Sequence, residues 1–401
     1  MRKKIGVIFP TRSGGGVFQY ALSIADSLLN HTGKFDYAVI HYEGEKPELR
    51  YDHAETEYIP MPGPTGLGVV TRTLHFLSVA ARNNLFTVKR LHAAIRNKGI
   101  DMLIVPTPFS YDLPNGTPFV ASVPDYMHKH EPWQNDLKSR ITRDIIYTTF
   151  ARQASRLVAD DEETVADLVK FAGVSADKVD VIPYIPPSYI YKYRGMSHDE
   201  VAATLDRFGL PDRYVFFPAQ FWESKNHLRL VEALHKIKTE KGVVVPLVLV
   251  GSNRGQYYAP VFEKLERRIQ QLGLDRDVRY LGYVEDKEMV ALYKKAVALV
   301  APSLQGPTTI PPLEAMLART AVITVNKYKL PDEVGDAGLL FDPYDVADIA
   351  DKIYRVWSEE GLRQTLIRKG TEKAERELGL DTYAGKWEHV LDTALAAARR
   401  H

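Results

Sequence analysis

Short apolar runs alternate with longer stretches of mixed polarity along most of this chain. An apolar run of about four to eight residues bounded by turn residues predicts a buried strand of a parallel sheet. We therefore expect strands at 5–10, 37–42, 57–60, 100–105, 117–123, 157–159, 179–182, 214–219, 243–250, 278–284, 298–301, 321–325 and 339–343. The stretches between them predict helices, including 18–29, 136–156, 287–295 and a largely helical end at 346–400. Strands that alternate with helices in this way indicate an α/β fold.

The alternation restarts after a proline-rich segment, 183–187, and this restart predicts two domains of similar size. With 401 residues, the chain is long for one domain and comfortable for two. We expect a Rossmann-like first domain at 1–190 and a Rossmann-like second domain at 205–380, with the boundary at about 185–210. The last segment, 381–401, is expected to form a helix that packs back on the first domain.

The composition excludes several classes of protein. Hydrophobic residues make up 45% and charged residues 26%, as in ordinary soluble proteins, and a net charge of +1 provides no overall field that would attract nucleic acid. The absence of cysteine excludes disulfides, thiolate chemistry and cysteine-based zinc sites. No apolar run approaches the length of a transmembrane helix, and the apolar start is too short for a signal peptide. These features predict a cytoplasmic protein without a nucleic-acid partner.

The region 72–98 is rich in lysine and arginine among apolar residues and contains few acids. A basic amphipathic helix of this kind can lie on an anionic membrane surface. The same pattern also suits the solvated face of a domain helix, and we favour this second interpretation. Peripheral contact with the inner face of a membrane is the alternative.

The segment 302–317 combines turn residues with the start of a helix directly after a predicted strand. The backbone N–H groups of Thr308, Thr309 and Ile310 would point toward an anion such as a phosphate, and the helix dipole favours that charge. Glu314 lies one turn further, where its carboxylate could accept hydrogen bonds from the hydroxyls of a ribose. An ordinary strand-to-helix turn with a surface glutamate is the open alternative.

We call this segment the donor loop and its helix, because it resembles the donor loop of retaining glycosyltransferases of the GT-B fold, family 4 (glycosyl transferases group 1), whose pattern is Glu-Gly-Phe-Gly-Leu-Pro-Pro-Leu-Glu-Ala. Residues 310–315 follow the pattern, and Glu314 falls on its second glutamate. The first glutamate falls on Gly306, where the chain departs from the family. We interpret the departure as a subgroup with a Gly-Pro-Thr donor loop, in which the hydroxyls of Thr308 and Thr309 replace the lost carboxylate. The resemblance implies two Rossmann-like domains that face a central cleft.

The resemblance extends to the turn after the predicted strand at 214–219. There the family has an arginine and a lysine that grip the donor diphosphate, and these positions are Gln220 and Lys225 here. Lys225 matches, whereas Gln220 offers only neutral hydrogen bonds. Negative charge that develops on a leaving diphosphate is stabilised by cations and preorganised N–H groups, so the resemblance implies a catalytic role for Lys225. A solvated lysine without a function is the alternative.

Polar residues follow the predicted strand at 117–123, and ligands of open α/β folds bind at the carboxyl ends of strands. The resemblance implies that Asp125 and His128 position the sugar or the acceptor. Two other interpretations stay open for the histidines: His128 and His130 could be plain loop residues, or they could bind a metal. The metal interpretation is the weakest, because no cysteine or carboxylate cluster accompanies them.

Two further sets of contacts are implied. A glycine run after the first predicted strand contains Gly15 and Gly16, which would help to hold the acceptor and the donor phosphate. The run lacks the GxGxxG spacing, so a dinucleotide site is not predicted. Gly251 and the backbone of Val284, together with Glu314, would hold the nucleoside.

The implied reaction moves a hexose of the mannose or glucose type from a GDP- or UDP-linked donor to a saccharide or lipid-linked acceptor, with retention at the anomeric carbon. An oxygen of the leaving phosphate takes the acceptor proton on the same face, so neither the paired carboxylates of a glycosidase nor a metal or bound cofactor is expected. Three alternatives stay open: a sugar-nucleotide epimerase or a phosphorylase on the same fold, and a degenerate protein that only binds a sugar nucleotide.

Overall fold

The computed structural model describes residues 2–10, 16–31, 33–50, 56–61, 89–108, 116–123, 125–130, 137–255, 258–304 and 310–398. The chain forms two compact units, one of Met1–Ser188 with Leu380–His401, the other of Tyr189–Gly379. The chain passes from the first unit to the second between Ser188 and Tyr189.

The first unit is built on a parallel sheet with the order β3-β2-β1-β4-β5-β6-β7. Its strands are β1 (Lys4–Ile8), β2 (Asp36–Tyr42), β3 (Glu57–Met61), β4 (Met102–Val105), β5 (Phe119–Ser122), β6 (Arg156–Ala159) and β7 (Val179–Val181). All four residues of β4 and of β5 are buried, as expected for strands that are covered on both faces.

The second unit has a parallel sheet with the order β10-β9-β8-β11-β12-β13. Its strands are β8 (Val215–Pro218), β9 (Leu247–Val250), β10 (Val278–Tyr280), β11 (Ala298–Ala301), β12 (Ala321–Val325) and β13 (Gly338–Phe341). Strands β11 and β12 pair in register from Ala298 opposite Ala321 to Ala301 opposite Thr324. The six strands of this sheet follow the same order as the first six strands of the first sheet, which has a seventh strand, β7, at its edge. In both sheets the order reverses beside the first strand, as in the doubly wound arrangement of Rossmann-like domains.

Helices connect the strands in both units. The described α-helices are α1 (Gly16–Asn30), α2 (Lys89–Ile95), α3 (Met127–His130), α4 (Leu137–Gln153), α5 (Glu162–Asp167), α6 (Ser188–Tyr193), α7 (His198–Leu205), α8 (His227–Lys241), α9 (Ala259–Gln271), α10 (Asp286–Lys295), α11 (Ile310–Leu317), α12 (Leu330–Val334), α13 (Val346–Ser358), α14 (Glu360–Glu377) and α15 (Leu380–Ala398). None of these helices is both long enough and apolar enough to cross a bilayer.

The last helix, α15, belongs to the first unit and packs against α1. Its Trp387 is fully buried. The carboxylate of Glu388 accepts hydrogen bonds from the hydroxyl of Tyr37 at 2.9 Å and from the backbone N–H of Lys34 at 3.0 Å. Apolar burial and these polar contacts together hold the chain end on the unit that contains the chain start.

Some predicted bounds are wrong. Strand β10 ends at Tyr280 and not at residue 284, because Gly282 adopts φ +75°, a left-handed conformation outside the strand region. Strand β9 begins at Leu247 and not at residue 243, because Pro246 just before it has no N–H for a ladder bond. The helical end is divided into α13, α14 and α15. In the basic region 72–98, residues 72–88 lie outside the described residues.

The second sheet determines where its ligand would lie. Neighbouring strands β8 and β11 flank the point at which the strand order reverses. In open α/β sheets, ligands bind outside the carboxyl ends of the strands at such a switch point. The segments that leave these two ends are the β8–α8 connection, which contains Lys225, and the donor loop. The topology therefore places the two predicted donor-binding segments side by side.

Candidate functional site

The β8–α8 connection carries two of the predicted donor contacts, Gln220 and Lys225. Lys225 ends a 3-10 turn, Glu223–Lys225, and Asn226 follows it with φ +61°. A left-handed backbone is costly for most residues, whereas asparagine tolerates it because its short side chain can hydrogen-bond locally. Asn226 thus turns the chain into α8 directly after Lys225.

Asn226 also ties this turn to the start of the donor loop. Its Nδ2 donates to the carbonyl oxygen of Pro302 at 3.1 Å and to that of Pro343 at 2.9 Å. The backbone N–H of Leu304 donates to the carbonyl of Ser224 at 2.7 Å. Because Asn226 is buried, these bonds satisfy polar groups that water does not reach. The turn and the first residues of the donor loop are therefore held together.

Lys225 carries a charge that no described carboxylate neutralises through an ion pair. Burial of its ammonium group lowers the pKa of Lys225, since surroundings of low polarity disfavour the charged form. Burial, and to a lesser extent the charge of Lys225, lowers the pKa of His227 to about 3. The His227 ring lies 4.8 Å from the ring of Phe217 and 4.7 Å from that of Phe221, measured between centroids. A neutral histidine therefore lies beside an unneutralised cation.

Gln220 lies at the exposed edge of the same connection. Its Oε1 accepts a hydrogen bond from Nε1 of Trp222 at 3.3 Å. The amide oxygen of Gln220 is therefore engaged within the protein, whereas its NH2 group can donate a hydrogen bond to a ligand.

Glu314 occupies the second turn of α11, which begins at the predicted donor contact Ile310. Its side chain is buried. One carboxylate oxygen accepts a hydrogen bond from the hydroxyl of Tyr189, and the other accepts one from the hydroxyl of Tyr293 at 2.6 Å. Burial raises the pKa of Glu314, while the two phenol hydrogen bonds act in the opposite direction. Each carboxylate oxygen retains a further lone pair, so the predicted contact with a ribose stays a prediction.

Gly251 follows β9 at the same edge of the sheet. It adopts φ +149°, and a Cβ atom at this position would lie 2.2 Å from the carbonyl oxygen of Ala219. Its N–H donates to the carbonyl of Gly282 at 3.1 Å, and its carbonyl oxygen accepts from the hydroxyl of Tyr280 at 2.8 Å. Only glycine fits this close approach of backbones. Val284 lies beyond the end of β10 and has a buried side chain.

The predicted residues of the first unit lie after β5. Asp125 is partly exposed, and its charge contributes to the raised pKa of Tyr147, for which burial is the main cause. His128 is 1% exposed and packs against the rings of Tyr126 and Tyr147, with both centroid distances at 5.6 Å. Burial lowers the pKa of His128 to about 4. A contact between His128 and a sugar would require a change in this packing.

His130 has a carboxylate partner of its own, since its Nε2 lies 2.7 Å from Oδ2 of Asp167. Within the described ranges, no cluster of three or more histidines, aspartates and glutamates is arranged to hold a metal ion. The metal-independent site stays a prediction. Of the other predicted contacts, Gly16 is the first residue of α1, whereas four lie outside the described residues: Gly15, Gly306, Thr308 and Thr309.

Three residues of this site were not predicted from the sequence: Asn226, Tyr189 and Tyr293. An asparagine directly before a helix start is a signal for a left-handed turn residue, so Asn226 could have been found. Tyr293 lies in an apolar stretch that suggests only a core position. Tyr189 lies in the segment interpreted as a domain boundary, 125 positions from its partner Glu314, and no local pattern joins the two.

Family models match both halves of the chain. Residues 207–373 match the model described as Glycosyl transferases group 1, and residues 14–184 match the model described as Glycosyltransferase Family 4. The first match covers most of the second unit, including the β8–α8 connection and the donor loop.

Among curated proteins, the chain is similar to O-antigen chain mannosyltransferase B of Escherichia coli. The two are 31% identical over 163 residues, which is 41% of this chain and 42% of that protein. The chain also matches serotype-specific mannosyltransferase WbdA of Escherichia coli, where the matched part spans 25–26% of the relative's length. It therefore spans less than half the length of these curated relatives.

Two solved structures share the fold over nearly the whole chain. Sucrose-phosphate synthase from Thermosynechococcus elongatus superposes with a TM-score of 0.75 at 18% identity, over 99% of this chain and all of that one. Anabaena Alr3699/HepE in complex with UDP and glucose gives a TM-score of 0.70 at 16% identity, over 98% of this chain and 100% of that chain. The protein therefore has the GT-B fold, and each half of the chain is similar to a glycosyltransferase family model.

Proposed function

We propose that this protein is a hexosyltransferase that moves a mannose- or glucose-type sugar from a nucleoside-diphosphate sugar to a saccharide or lipid-linked acceptor, with retention of the anomeric configuration. The product would be a surface polysaccharide or a glycolipid. The reaction would need neither a metal nor a resident cofactor, because a lysine and backbone N–H groups can meet the charge of the leaving diphosphate.

The observation that carries this proposal is the electrostatic state of Lys225. Its pKa is lowered by burial, and no carboxylate of the described chain pairs with it. A desolvated cation without a counter-ion is costly unless an anion binds. Lys225 lies in the turn that Ser224 and Asn226 hold against Pro302 and Leu304. A diphosphate bound between this turn and the N-terminus of α11 would supply the missing negative charge.

The other predicted residues take roles around that anion. Gly251, the backbone of Val284 and Glu314 would hold the nucleoside, and Gln220 would donate a neutral hydrogen bond to the diphosphate. The donor-loop groups of Gly306, Thr308, Thr309 and Ile310, with Gly15 and Gly16, would complete the phosphate contacts. Asp125 and His128 would position the transferred sugar or the acceptor.

The names of similar proteins support the choice of substrate. Mannosyltransferases are among the curated relatives, and Anabaena HepE is a structural neighbour whose complex contains UDP and glucose. These names favour a GDP- or UDP-linked hexose and a saccharide acceptor. We also propose a cytoplasmic location, with peripheral membrane contact through the basic region 72–98 as the alternative to a solvated helix face.

A panel of nucleotide sugars tests the proposal. GDP-mannose, UDP-glucose and UDP-N-acetylglucosamine are added to the full chain, and the melting temperature is measured. A ligand that binds the folded state raises the melting temperature by mass action. We expect one donor to stand out, with the increase lost in Lys225→Ala and Glu314→Ala. Lys236→Ala is the matched control, because Lys236 pairs with Glu240 one turn along α8.

The replacement of the family's glutamate by Gly306 and of its arginine by Gln220 favours a second candidate, a protein that binds a sugar nucleotide without transferring the sugar. If the protein binds the donor but does not hydrolyse it, even slowly and at any protein concentration, this second candidate is favoured. The absence of a melting-temperature shift with every donor would contradict both functions.

A further inference from the structure

Two tyrosine hydroxyls hold the carboxylate of Glu314, one on each oxygen. Tyr189 donates to Oε1, and Tyr293 donates to Oε2 at 2.6 Å. Tyr189 belongs to α6 and Tyr293 to α10, so two helices far apart in sequence converge on one side chain. Because each oxygen has a donor in a set direction, the plane of the carboxylate is fixed and its remaining lone pairs have defined directions.

Each tyrosine is itself held in place. The ring of Tyr293 packs edge-on against that of Phe216 with 5.0 Å between centroids, and its carbonyl oxygen accepts from Oγ1 of Thr320 at 2.7 Å. Both contacts lie within the second unit. A side chain fixed in this way can orient its partner at little further entropic cost.

Tyr189 is also buried, with an exposed fraction of 7%, and it follows a residue that is anchored within the first unit. Ser188 is buried, its hydroxyl donates to Oδ2 of Asp26, and Nη1 of Arg50 donates to the same hydroxyl. The backbone N–H of Arg50 adds a bond of 2.9 Å to Oδ1 of Asp26. Ser188 is the last residue of the first unit before the chain enters the second, and it contacts the buried Asp26 of the first unit. Tyr189, the next residue, contacts the buried Glu314 of the second unit.

The hydroxyls of Tyr189 and Tyr293 also favour the ionised form of Glu314, which is the form that can accept hydrogen bonds from the hydroxyls of a ribose. Burial raises the pKa of Glu314, and the charge of Asp286 acts in the same direction, whereas the hydrogen bonds from Tyr189 and Tyr293 lower it. Only the ionised carboxylate is an acceptor on both oxygens. The two phenols thus help to keep Glu314 in the form that can accept bonds from the two hydroxyls of a ribose.

We propose that Tyr189 and Tyr293 are positioning residues for the nucleotide-sugar donor, acting through the Glu314 carboxylate that they orient. This inference rests on the proposed function and adds to it two residues that do not touch the donor. A purely structural role, in which the phenols only satisfy a buried acid, is what the test must separate from it.

The test uses Tyr189→Phe and Tyr293→Phe, each of which removes one hydroxyl and keeps the ring. Tyr214→Phe is the matched control, because Tyr214 is a fully buried tyrosine of the same unit whose hydroxyl donates to the carbonyl of Leu292 at 2.9 Å and not to Glu314. The dissociation constant of the donor chosen by the panel is measured by calorimetry over a range of pH, beside the melting temperature of each free protein.

We expect the dissociation constant to rise about three- to tenfold in Tyr189→Phe and in Tyr293→Phe, the equivalent of one lost hydrogen bond, and to stay within about twofold of wild type in Tyr214→Phe. Donor binding should weaken as the pH falls and Glu314 takes up a proton. This loss should begin at higher pH in the first two variants, because each has lost a bond that lowers the pKa of Glu314. Tyr214→Phe should lower the melting temperature without changing the pH at which donor binding is lost.

If Tyr189→Phe and Tyr293→Phe bind the donor as tightly as the wild-type protein and show the same pH dependence of binding, the positioning role is overturned while the proposed function stands. Equal weakening in Tyr214→Phe would overturn the positioning role as well, since the effect would then follow from lost stability. If the wild-type protein binds no nucleotide sugar, the proposed function fails, and the positioning role fails with it.

Discussion

The side-chain amide of Asn226 lies 3.1 Å from the carbonyl oxygen of Pro302, and this contact joins the turn after β8 to the loop after β11. The same amide reaches the carbonyl of Pro343 at 2.9 Å, and its oxygen accepts from Nη1 of Arg229 at 3.0 Å. One buried side chain thus holds together the two segments that leave the switch point of the second sheet. The geometry of the candidate donor site depends on it.

Removal of the Asn226 side chain should therefore destabilise the second unit and weaken donor binding. Asn226→Ala loses two hydrogen bonds to buried carbonyls and places alanine at φ +61°, so we expect a loss of about 2–5 kcal/mol in the free energy of unfolding. Asn226→Gly is the matched variant. It loses the same bonds without the backbone strain and should cost about 1–2 kcal/mol less.

Urea unfolding of the two Asn226 variants measures both costs, and titration with the donor measures the effect on binding. Equal unfolding free energies for the alanine and glycine variants would show that the left-handed backbone has no cost here. Wild-type stability in the glycine variant would show that the two amide bonds do not hold the donor loop.

His227 should make the second unit sensitive to acid. Its folded-state pKa of about 3 lies below the ordinary value of 6.5, so below pH 6.5 the unfolded chain takes up a proton that the folded chain does not. Stability present above pH 6.5 is therefore lost as the pH falls toward 3, by up to about 1.4 kcal/mol per pH unit. His227→Phe suits the aromatic surroundings and should remove this slope.

Hydrogen exchange between pH 7 and 5 can follow the effect on the amides of α8, while amides of the first unit provide an internal control for the same sample. We expect His227→Phe to flatten the pH dependence in α8 and to leave the first unit unchanged. If the stability of α8 depends on pH equally in His227→Phe and in the wild-type protein, the acid sensitivity of this unit is due to other groups.

Gly251→Ala should be severely destabilising. The new Cβ would lie 2.2 Å from the carbonyl oxygen of Ala219, and φ +149° is unfavourable for alanine. We expect a loss of at least about 2 kcal/mol in the free energy of unfolding, together with weaker nucleoside binding.

Gly361→Ala provides the control for this substitution, because Gly361 lies in α14 of the same unit and a Cβ there meets open space. That change should stabilise the protein by up to about 1 kcal/mol, since alanine is the better helix former. Thermal unfolding compares the two. A Gly251 variant as stable as wild type would contradict the close approach of backbones at the end of β9.

Strands and helices could be predicted because their signals are local. The run Ala298–Ala301 and the segment Ala321–Val325 are short and apolar, and each forms a buried strand where expected. Local signals also explain the errors: Gly282 ends β10 early through a positive φ that a hydrophobic pattern does not reveal. The placement of Lys225 beside the donor loop follows from the strand order, which the alternation of elements already suggests.

The surroundings of individual side chains could not be predicted in the same way. His128 follows a strand end, where a polar residue can face either a ligand or the core, and the rings of Tyr126 and Tyr147 around it are a result of tertiary packing. Glu314 was predicted as a ribose contact, but nothing near it in sequence indicates that Tyr189 and Tyr293 would hold its carboxylate. Such contacts depend on how distant helices pack.

The most direct test of the central claim is the release of nucleoside diphosphate from the donor that binds best, with water or an added saccharide as acceptor. Lys225→Ala should lower kcat/KM by about 100-fold or more, because the developing charge on the diphosphate would lose its cation. Lys236→Ala should turn over at the wild-type rate. A Lys225→Ala variant that releases nucleoside diphosphate as fast as wild type would contradict the assignment of this site.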